Sequence, residues 1–178
     1  LRLNSEFRRD AWTLKPYIRR SQMAFLQHFL PGQPLEENDQ SSVGVIVERD
    51  VSIATAQVSV GGQAEFMSGG LREFQALPTT GSNFLVATRP AGLHYDYDVN
   101  SALFAAFYNL DYNLATDTRL VHSLRVETLK YDYTNNHIVG NTKDDGSACG
   151  FGGCLYTRPA SREAEFANLG ARSGGGRD

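Results

Sequence analysis

Residues 57–66 have the sequence QVSVGGQAEF, in which polar and apolar side chains alternate from one residue to the next, apart from the Gly61-Gly62 step. One side carries the apolar residues Val58, Val60, Ala64 and Phe66, and the other carries Gln57, Ser59, Gln63 and Glu65. A period of two is that of a β-strand whose two faces meet different surroundings. An amphipathic helix would need apolar residues at i, i+3 and i+4, and in the alternating segments of this chain charged residues would interrupt that stripe. The segment therefore predicts a strand.

The same alternation recurs along the whole chain. Val43, Val45 and Val47 form one apolar side, and Phe104, Ala106 and Tyr108 form another. The predicted strands are 1–9, 12–27, 41–49, 54–69, 102–114, 119–133 and 166–172. We therefore expect an all-β chain, an antiparallel up-and-down meander of about seven strands.

The connections between these strands alternate in length. Short turns of roughly 3–5 residues, such as the one at 115–118, alternate with loops of roughly 12–30 residues. The first long loop includes the acidic run 36–39, and the second spans 70 to about 100. Loops on one side and turns on the other are typical of outer-membrane barrels. A soluble β-sandwich also has alternating strands, so it remains the alternative fold, with Val43 and Phe104 buried against a second sheet instead of facing lipid.

Composition excludes some classes of protein. The chain has 178 residues, of which 41% are hydrophobic, its mean hydropathy is −0.35, and it has no apolar run of the length that a membrane helix needs. A barrel strand needs only alternate apolar residues, so a membrane barrel stays open. The net charge of −3 and the scattered Arg residues provide no basic surface for nucleic acid. Because the chain begins at Leu1 within an alternating run, we expect a fragment of a longer protein.

Several segments resemble TonB-dependent outer-membrane receptors. The run 108–117 (YNLDYNLATD), followed by Leu124-Arg125-Val126-Glu127, is similar to a mid-barrel hairpin of that family. The segments 12–19 (WTLKPYIR) and 161–166 (SREAEF) also resemble parts of such barrels. The resemblance covers nearly the whole chain and implies that residues 1–178 are a partial β-barrel domain. If the resemblance holds, we expect this chain to be about a third of a roughly 22-stranded barrel, without the plug domain, the signal peptide and the C-terminal strand.

What the resemblance implies about function is import across the bacterial outer membrane. The expected partners are outer-membrane lipid, the protein's own plug domain and the TonB energy-coupling complex, the last two outside this chain. The expected cargo is a ferric siderophore, with haem, cobalamin and oligosaccharide left open. The alternative from another class is a secreted β-sandwich that binds carbohydrate or another surface ligand.

Charged residues on the polar sides of the strands are expected to line the barrel lumen. Their structural role would be cross-strand ion pairing and contact with a plug, and their functional role would be to guide an anionic ferric complex. The predicted lumen-lining residues are Arg2, Glu6, Arg8, Lys15, Arg19, Glu48, Glu65, Asp111, Arg125 and Glu127.

Some residues in the predicted loops could contact a ligand. Aromatic rings near strand ends suit a membrane-interface girdle, and those farther out could stack on a ligand or donate hydrogen bonds to it. The candidate ligand-binding residues are His28, Arg89, His94, Tyr95 and Tyr97.

The cysteines Cys149 and Cys154 lie in the Gly-rich run ACGFGGC at 148–154. An even pair in an exported protein predicts a local disulfide. A zinc site would need further ligands, and His137 is the nearby candidate. The sequence has no nucleophile-elbow, phosphate-loop or zinc-protease motif, so we expect no enzyme activity, no cofactor and no metal.

Overall fold

The computed structural model describes residues 1–28, 30–115 and 118–177. Within these residues eight strands follow one another along the chain, with one short helix, α1 (Asn83–Thr88), between the fifth and the sixth. The strands are β1 (Arg2–Asn4), β2 (Phe7–Arg9), β3 (Trp12–Leu26), β4 (Leu35–Ile53), β5 (Ala56–Gln75), β6 (Gly92–Ala115), β7 (Thr118–Asn135) and β8 (Arg162–Arg177). Among the described residues there is no helix with the length and apolarity that a bilayer crossing requires.

All strand pairs are antiparallel, and each long strand pairs with its neighbour in sequence, in the order β1-β3-β4-β5-β6-β7-β8, with β2 beside β1 on β3. This confirms the predicted up-and-down meander. The predicted single strand 1–9 was wrong, because it is divided at Ser5. The Ser5 N–H donates to the carbonyl of Pro16 (3.1 Å), and Pro16 has no N–H with which to return a bond, so the ladder breaks there.

Most strands extend beyond their predicted bounds. The acidic run 36–39 was predicted as loop but belongs to β4, and residues 92–101, also predicted as loop, begin β6. Both extensions lie at the long-loop end of the sheet, where β4 residues such as Asp39 face Gly70 and Asp98 across the ladder. In β4 the polar residues 36–42 occupy both faces, so the hydropathy alternation disappears there while the backbone pairing continues.

The register gives the sheet two different faces. One, here called the apolar face, aligns Val43 with Phe66 and Ala102, and Val45 with Ala64 and Phe104. Its large side chains are exposed, with Val43, Phe66 and Phe104 each about half accessible, and no second sheet covers them within the described residues. The opposite face, here called the polar face, aligns Gly44 with Glu65 and Ile46 with Gln63.

The long connections share one end of the sheet. They are L1 (27–34), L2 (76–91, containing α1) and L3 (136–161), and the two-residue turns 10–11 and 54–55 lie at the other end. Asp10 adopts a left-handed backbone (φ 54°) in the first turn. In the predicted turn 115–118, Thr116 and Asp117 lie outside the described residues. The buried apolar cluster is formed by Cys149, Cys154 and Tyr156 of L3 with Tyr95, so it lies among the loops.

Candidate functional site

A continuous set of polar contacts crosses the polar face from β3 to β8. We call it the polar ladder, and its members are Tyr17, Gln63, Glu65, Arg125, Glu127 and Asn168. Tyr17 donates its hydroxyl hydrogen to Glu65 (2.5 Å) and accepts a bond from the Gln63 amide (2.9 Å). Arg125 donates to both Gln63 (2.9 Å) and Glu127 (2.8 Å). Asn168 of β8 then donates to Glu127 (3.4 Å). The ladder joins side chains that lie far apart in sequence.

Ion pairs flank the polar ladder on β3. Lys15 lies 3.3 Å from Glu48, and Arg19 lies 3.6 Å from Glu65. The Lys15 and Arg19 side chains are more than a third exposed, so each pair contributes no more than about 0–1 kcal/mol to stability. These partly exposed pairs therefore form a solvated polar surface and not a deep charged binding site.

Towards the long-loop end, the polar face changes from ionic to aromatic. Four tyrosines project there from β6 and β7, and we call them the tyrosine wall: Tyr95, Tyr97, Tyr131 and Tyr133. The rings of Tyr97 and Tyr133 lie 5.1 Å apart, and Tyr95 contacts Tyr156 of L3 edge-on at 6.1 Å. All four are partly exposed. Half-buried phenols offer both a ring face and a hydroxyl, which suits recognition of a ring-bearing polar ligand.

Behind the tyrosine wall, buried polar side chains connect the strand ends to the loops. We call them the root cluster: Gln27, Glu36, Glu73, Arg89 and His94. The Gln27 amide donates to Glu36 (2.6 Å) and to Glu73 (3.1 Å). His94, which has no exposed side-chain surface, places Nδ1 3.0 Å from Glu73 and Nε2 2.8 Å from the carbonyl of Pro90. Gln27, Glu36, Glu73 and His94 are therefore joined by hydrogen bonds, whereas the buried Nε of Arg89 has no hydrogen-bond partner among the described residues.

L3 is organised around the buried Arg158. Its guanidinium donates to Thr142 (2.8 Å to the carbonyl and 2.9 Å to the hydroxyl) and to the Lys143 carbonyl (3.2 Å). It also lies over the ring of Tyr156, 5.3 Å from the centroid. Burial raises the pKa of the Tyr156 hydroxyl, and the charge of Arg158 opposes that rise. L3 is therefore an ordered element whose carbonyl groups converge on one cation.

A disulfide joins Cys149 to Cys154 within L3, with Cα atoms 5.0 Å apart. The hairpin that it closes packs on L2, because Gly150 donates its N–H to the Ala87 carbonyl (3.1 Å) and Leu155 donates to Thr88 (2.9 Å). Phe151 contacts Phe84 of α1 edge-on at 5.4 Å. L2 and L3 therefore form one packed unit above the root cluster.

Solved structures share this fold. The copper transporter OprC superposes with a TM-score of 0.56 and 11% identity, over 90% of this chain and 24% of its own. The open form of the ferric-catecholate import receptor Fiu from E. coli K12 gives 0.52 and 12%, over 98% of this chain and 32% of its own. No protein-family model and no curated protein sequence matches the chain. The chain spans about a quarter to a third of the length of these two structures.

The chain therefore shares the fold of part of the β-barrel of these two proteins. In such a barrel wall, an exposed apolar face on one side and a polar face on the other belong together. Within the described residues the sheet does not close on itself, and its edges are β1 with β2 on one side and β8 on the other.

The structure does not bring the predicted ligand residues together. His28 is exposed in L1, whereas His94, Tyr95 and Tyr97 were expected in a loop and lie in β6. Both ring nitrogens of His94 are engaged in the root cluster, and Arg89 is largely buried beside Glu73 (4.0 Å). Only the two tyrosines of this set reach the tyrosine wall. His94 and Arg89 are instead structural groups of the loop roots.

Tyr131 and Tyr133 were missed at the level of sequence. They occupy the same face of β7 as Leu129, at every second position. Assigning each aromatic residue of the predicted strand to a face would have placed both tyrosines together. Their partners across the ladder, Ser101 and Val99, lie in the part of β6 that the sequence predicts only as loop or strand edge. Without that pairing the four tyrosines do not come together.

The residues predicted to line a lumen mostly share one face of the sheet. In the backbone register Arg2 lies opposite Arg19 and Arg8 lies opposite Thr13. Both arginines are therefore on the polar face with Lys15. Glu6 lies between β1 and β2 and bonds to Arg8. Asp111 faces Gln57 near the short-turn end and pairs with Arg119. Within the described residues, no group of three His, Cys, Asp or Glu side chains is placed to hold a metal ion.

Proposed function

We propose that this chain forms part of the barrel wall of an active importer in the bacterial outer membrane. The observation that carries the proposal is the contrast between the two faces of one long sheet. Ile18, Val43 and Phe66 expose large apolar surfaces to the outside of the sheet, while the polar ladder occupies the other face. A sheet of this kind is stable where lipid covers one face and water or protein covers the other.

In this proposal the polar face lines the lumen and contacts a plug domain contributed by another part of the protein. The polar ladder and its flanking pairs supply hydrogen-bonding groups that such a plug could use without burying an unpaired charge. Energy would come from the TonB complex acting on the plug. The role of this chain is then to form a wall and loops, and we propose no catalytic step for it.

The ligand would be captured at the long-loop end, where the tyrosine wall lies beneath L2 and L3. We propose a ferric siderophore as the cargo, since Tyr97 and Tyr133 present ring faces and hydroxyl groups together. The polar face also carries Arg19 and Arg125 farther along the lumen. The name of one fold relative specifies copper and that of the other a ferric catecholate, so the fold alone leaves the cargo open.

The topology is tested by two neighbouring cysteine substitutions in the complete parent protein. Phe104→Cys places a label on the apolar face, and its matched control Ala105→Cys places one on the polar face. Each variant carries an environment-sensitive fluorophore and is reconstituted in vesicles with and without brominated lipid. We expect quenching at position 104 and little at 105. Equal quenching at both, or a soluble protein that needs no detergent, would favour the β-sandwich.

Transport and cargo are tested separately by uptake of radiolabelled iron in cells that depend on this protein. Uptake of a ferric catecholate that is lost in cells without TonB would support the proposed cargo. TonB-dependent uptake of another nutrient would support the proposed importer and contradict the proposed cargo. Tyr133→Ala should weaken ligand binding roughly 3- to 10-fold. Tyr108→Ala, which removes a tyrosine from the apolar face, is the matched control and should leave affinity unchanged.

A further inference from the structure

The polar face carries a groove on the side of the polar ladder that is nearer the two-residue turns. We call it the polar-face groove, and its volume is about 570 Å³. Its floor is apolar, since Ile46 of β4 and Phe107 of β6 lie there. Polar and charged side chains surround that floor, and they include Lys15, Glu48, Arg125 and Arg172.

The floor is flat because Phe107 lies over a glycine. Gly61 of β5 is directly opposite Phe107 in the register. A Cβ added to Gly61 would overlap the Phe107 ring and would lie 2.6 Å from the carbonyl oxygen of Val47. The ring therefore occupies the space that any other side chain at position 61 would fill, and it lies close to the backbone of β5. The groove stays open above it.

The floor exposes apolar surface on the side of the sheet that lipid would not cover. Ile46 and Phe107 are both partly exposed, and Phe107 lies on the polar face because it is opposite Arg125 in the register. Apolar surface is more stable when it is removed from water. An apolar centre with a polar rim is also the usual arrangement of a contact between proteins. The groove therefore suits an apolar side chain from another segment of protein.

The rim of the groove has a cation that its neighbours do not neutralise. Lys15 pairs with Glu48 (3.3 Å). Arg125 pairs with Glu127 (2.8 Å). Arg172 of β8 is exposed and makes no ion pair or side-chain hydrogen bond with any residue that the structure describes. A guanidinium is complemented by a carboxylate, to which it can donate two parallel hydrogen bonds.

We propose that the polar-face groove is the docking site of a segment of the protein's own plug domain. In that segment an apolar side chain packs on Phe107 and Ile46, and a neighbouring aspartate or glutamate binds Arg172. This inference rests on the proposed function, since a barrel wall is what places a plug against the polar face. A captured nutrient suits the groove less well, because the tyrosine wall and the long loops lie at the other end of the sheet.

Photo-crosslinking of the complete parent protein in detergent identifies the occupant. Ser123→p-benzoylphenylalanine places a reactive ketone at the rim and leaves Phe107 and Arg172 unaltered. The matched control is Val126→p-benzoylphenylalanine, on the apolar face of the same strand. Mass spectrometry should find residue 123 joined to a segment of the same polypeptide that lies outside 1–178 and has an apolar residue next to an aspartate or glutamate. Residue 126 should be joined to detergent.

Amide exchange in the cross-linked segment, measured in the protein without the cross-linker, tests the chemistry. Arg172→Gln should accelerate that exchange about 10-fold, since a hydrogen bond between charged groups is lost. Arg172→Glu combined with an arginine in place of the partner carboxylate should restore slow exchange. Phe107→Ala should accelerate exchange by a similar factor. The matched control Arg49→Gln, which removes a cation over Trp12 on the apolar face, should have no effect. If Phe107→Ala also loosens the strands, the exposed Arg172 variants decide the outcome.

Three results would overturn the docking site. One is cross-linking of residue 123 to detergent, to a small molecule or to a separate polypeptide alone. Another is a captured segment without a carboxylate, and the third is exchange that Arg172→Gln does not change. In each of these cases, a residue 126 joined to detergent alone would leave the proposed importer standing. Cross-linking of residue 126 to protein would instead contradict the importer, because protein would then cover the apolar face.

Discussion

Gly44→Ala should destabilise this protein, although the same change in a strand ordinarily stabilises it. Glycine inside a strand costs roughly 0.5–1 kcal/mol relative to alanine because it loses more backbone freedom on folding. At Gly44, however, a Cβ would overlap the ring and hydroxyl of Tyr17, which lies directly above it on the polar face. Tyr17 is 7% exposed and cannot move aside without leaving Glu65 and Gln63.

The expected magnitude combines two costs. Overpacking of this kind costs about 1–3 kcal/mol. Displacing the Tyr17 hydroxyl also breaks its bond to Glu65, and a bond to a charged group contributes about 1.5–3 kcal/mol. After the gain in backbone entropy is subtracted, Gly44→Ala should reduce the free energy of unfolding by about 2–5 kcal/mol. In a Tyr17→Ala background both costs vanish, so the same substitution should be neutral or slightly stabilising.

The assay is denaturant unfolding of the complete parent protein in vesicles. The unaltered protein, the two single variants and the double variant are compared with the same dependence of unfolding free energy on denaturant concentration. Gly170→Ala is the matched control, since it lies on the polar face of β8 with no atom closer than 4.0 Å to its added Cβ. Its effect should be small. A stabilising Gly44→Ala, or one whose effect is the same with and without the Tyr17 ring, would refute the packing argument.

The other predictions concern the loops. Arg158→Met should open L3 to protease between 136 and 161 without lowering the unfolding midpoint of the strands, because several carbonyl groups lose one buried donor. Exchanging Cys149 and Cys154 for serine should weaken the L3 hairpin by roughly 2 kcal/mol, seen as faster amide exchange confined to L3 and its contact with L2. The pKa of Asp145 is lowered by hydrogen bonds from the Ser147 side chain and backbone. The turn that these bonds form should be stable at pH values above the usual pKa of an aspartate and should be lost as pH falls through the lowered pKa of Asp145. Ser147→Ala should raise that pKa, as measured by a ¹³C titration of the Asp145 carboxyl group.

Much of the fold could be predicted because alternation is a local property. In a strand such as 57–66, the polarity of each residue indicates which face of the sheet it occupies. The sequence is therefore sufficient to find strands whose two faces differ in polarity. Alternation gives no signal where both faces of a strand are polar, which is why β4 begins earlier than predicted. It also missed the break at Ser5, which depends on the missing N–H of a partner residue, Pro16.

The loop roots were much less predictable. His94 and Arg89 were expected to meet a ligand because they are polar and lie between predicted strands. Their burial results from the register of β5 and β6 and from the packing of L3 on both, and neither is encoded in the spacing of nearby residues. The tyrosine wall is similar, because Tyr97 and Tyr133 meet only when β6 pairs with β7.

The sequence by itself therefore determined that this chain is a meander of two-faced strands with long connections at one end. Polar and apolar residues alternate because successive side chains of a strand point to opposite faces of the sheet, and each residue suits the surroundings of its own face. Only the tertiary structure decided which polar side chains face one another: the polar ladder, the tyrosine wall and the pair of Glu73 with His94. Those contacts join residues from separate strands, and a hydrogen bond that acts over about 3 Å depends on a register that no single segment specifies.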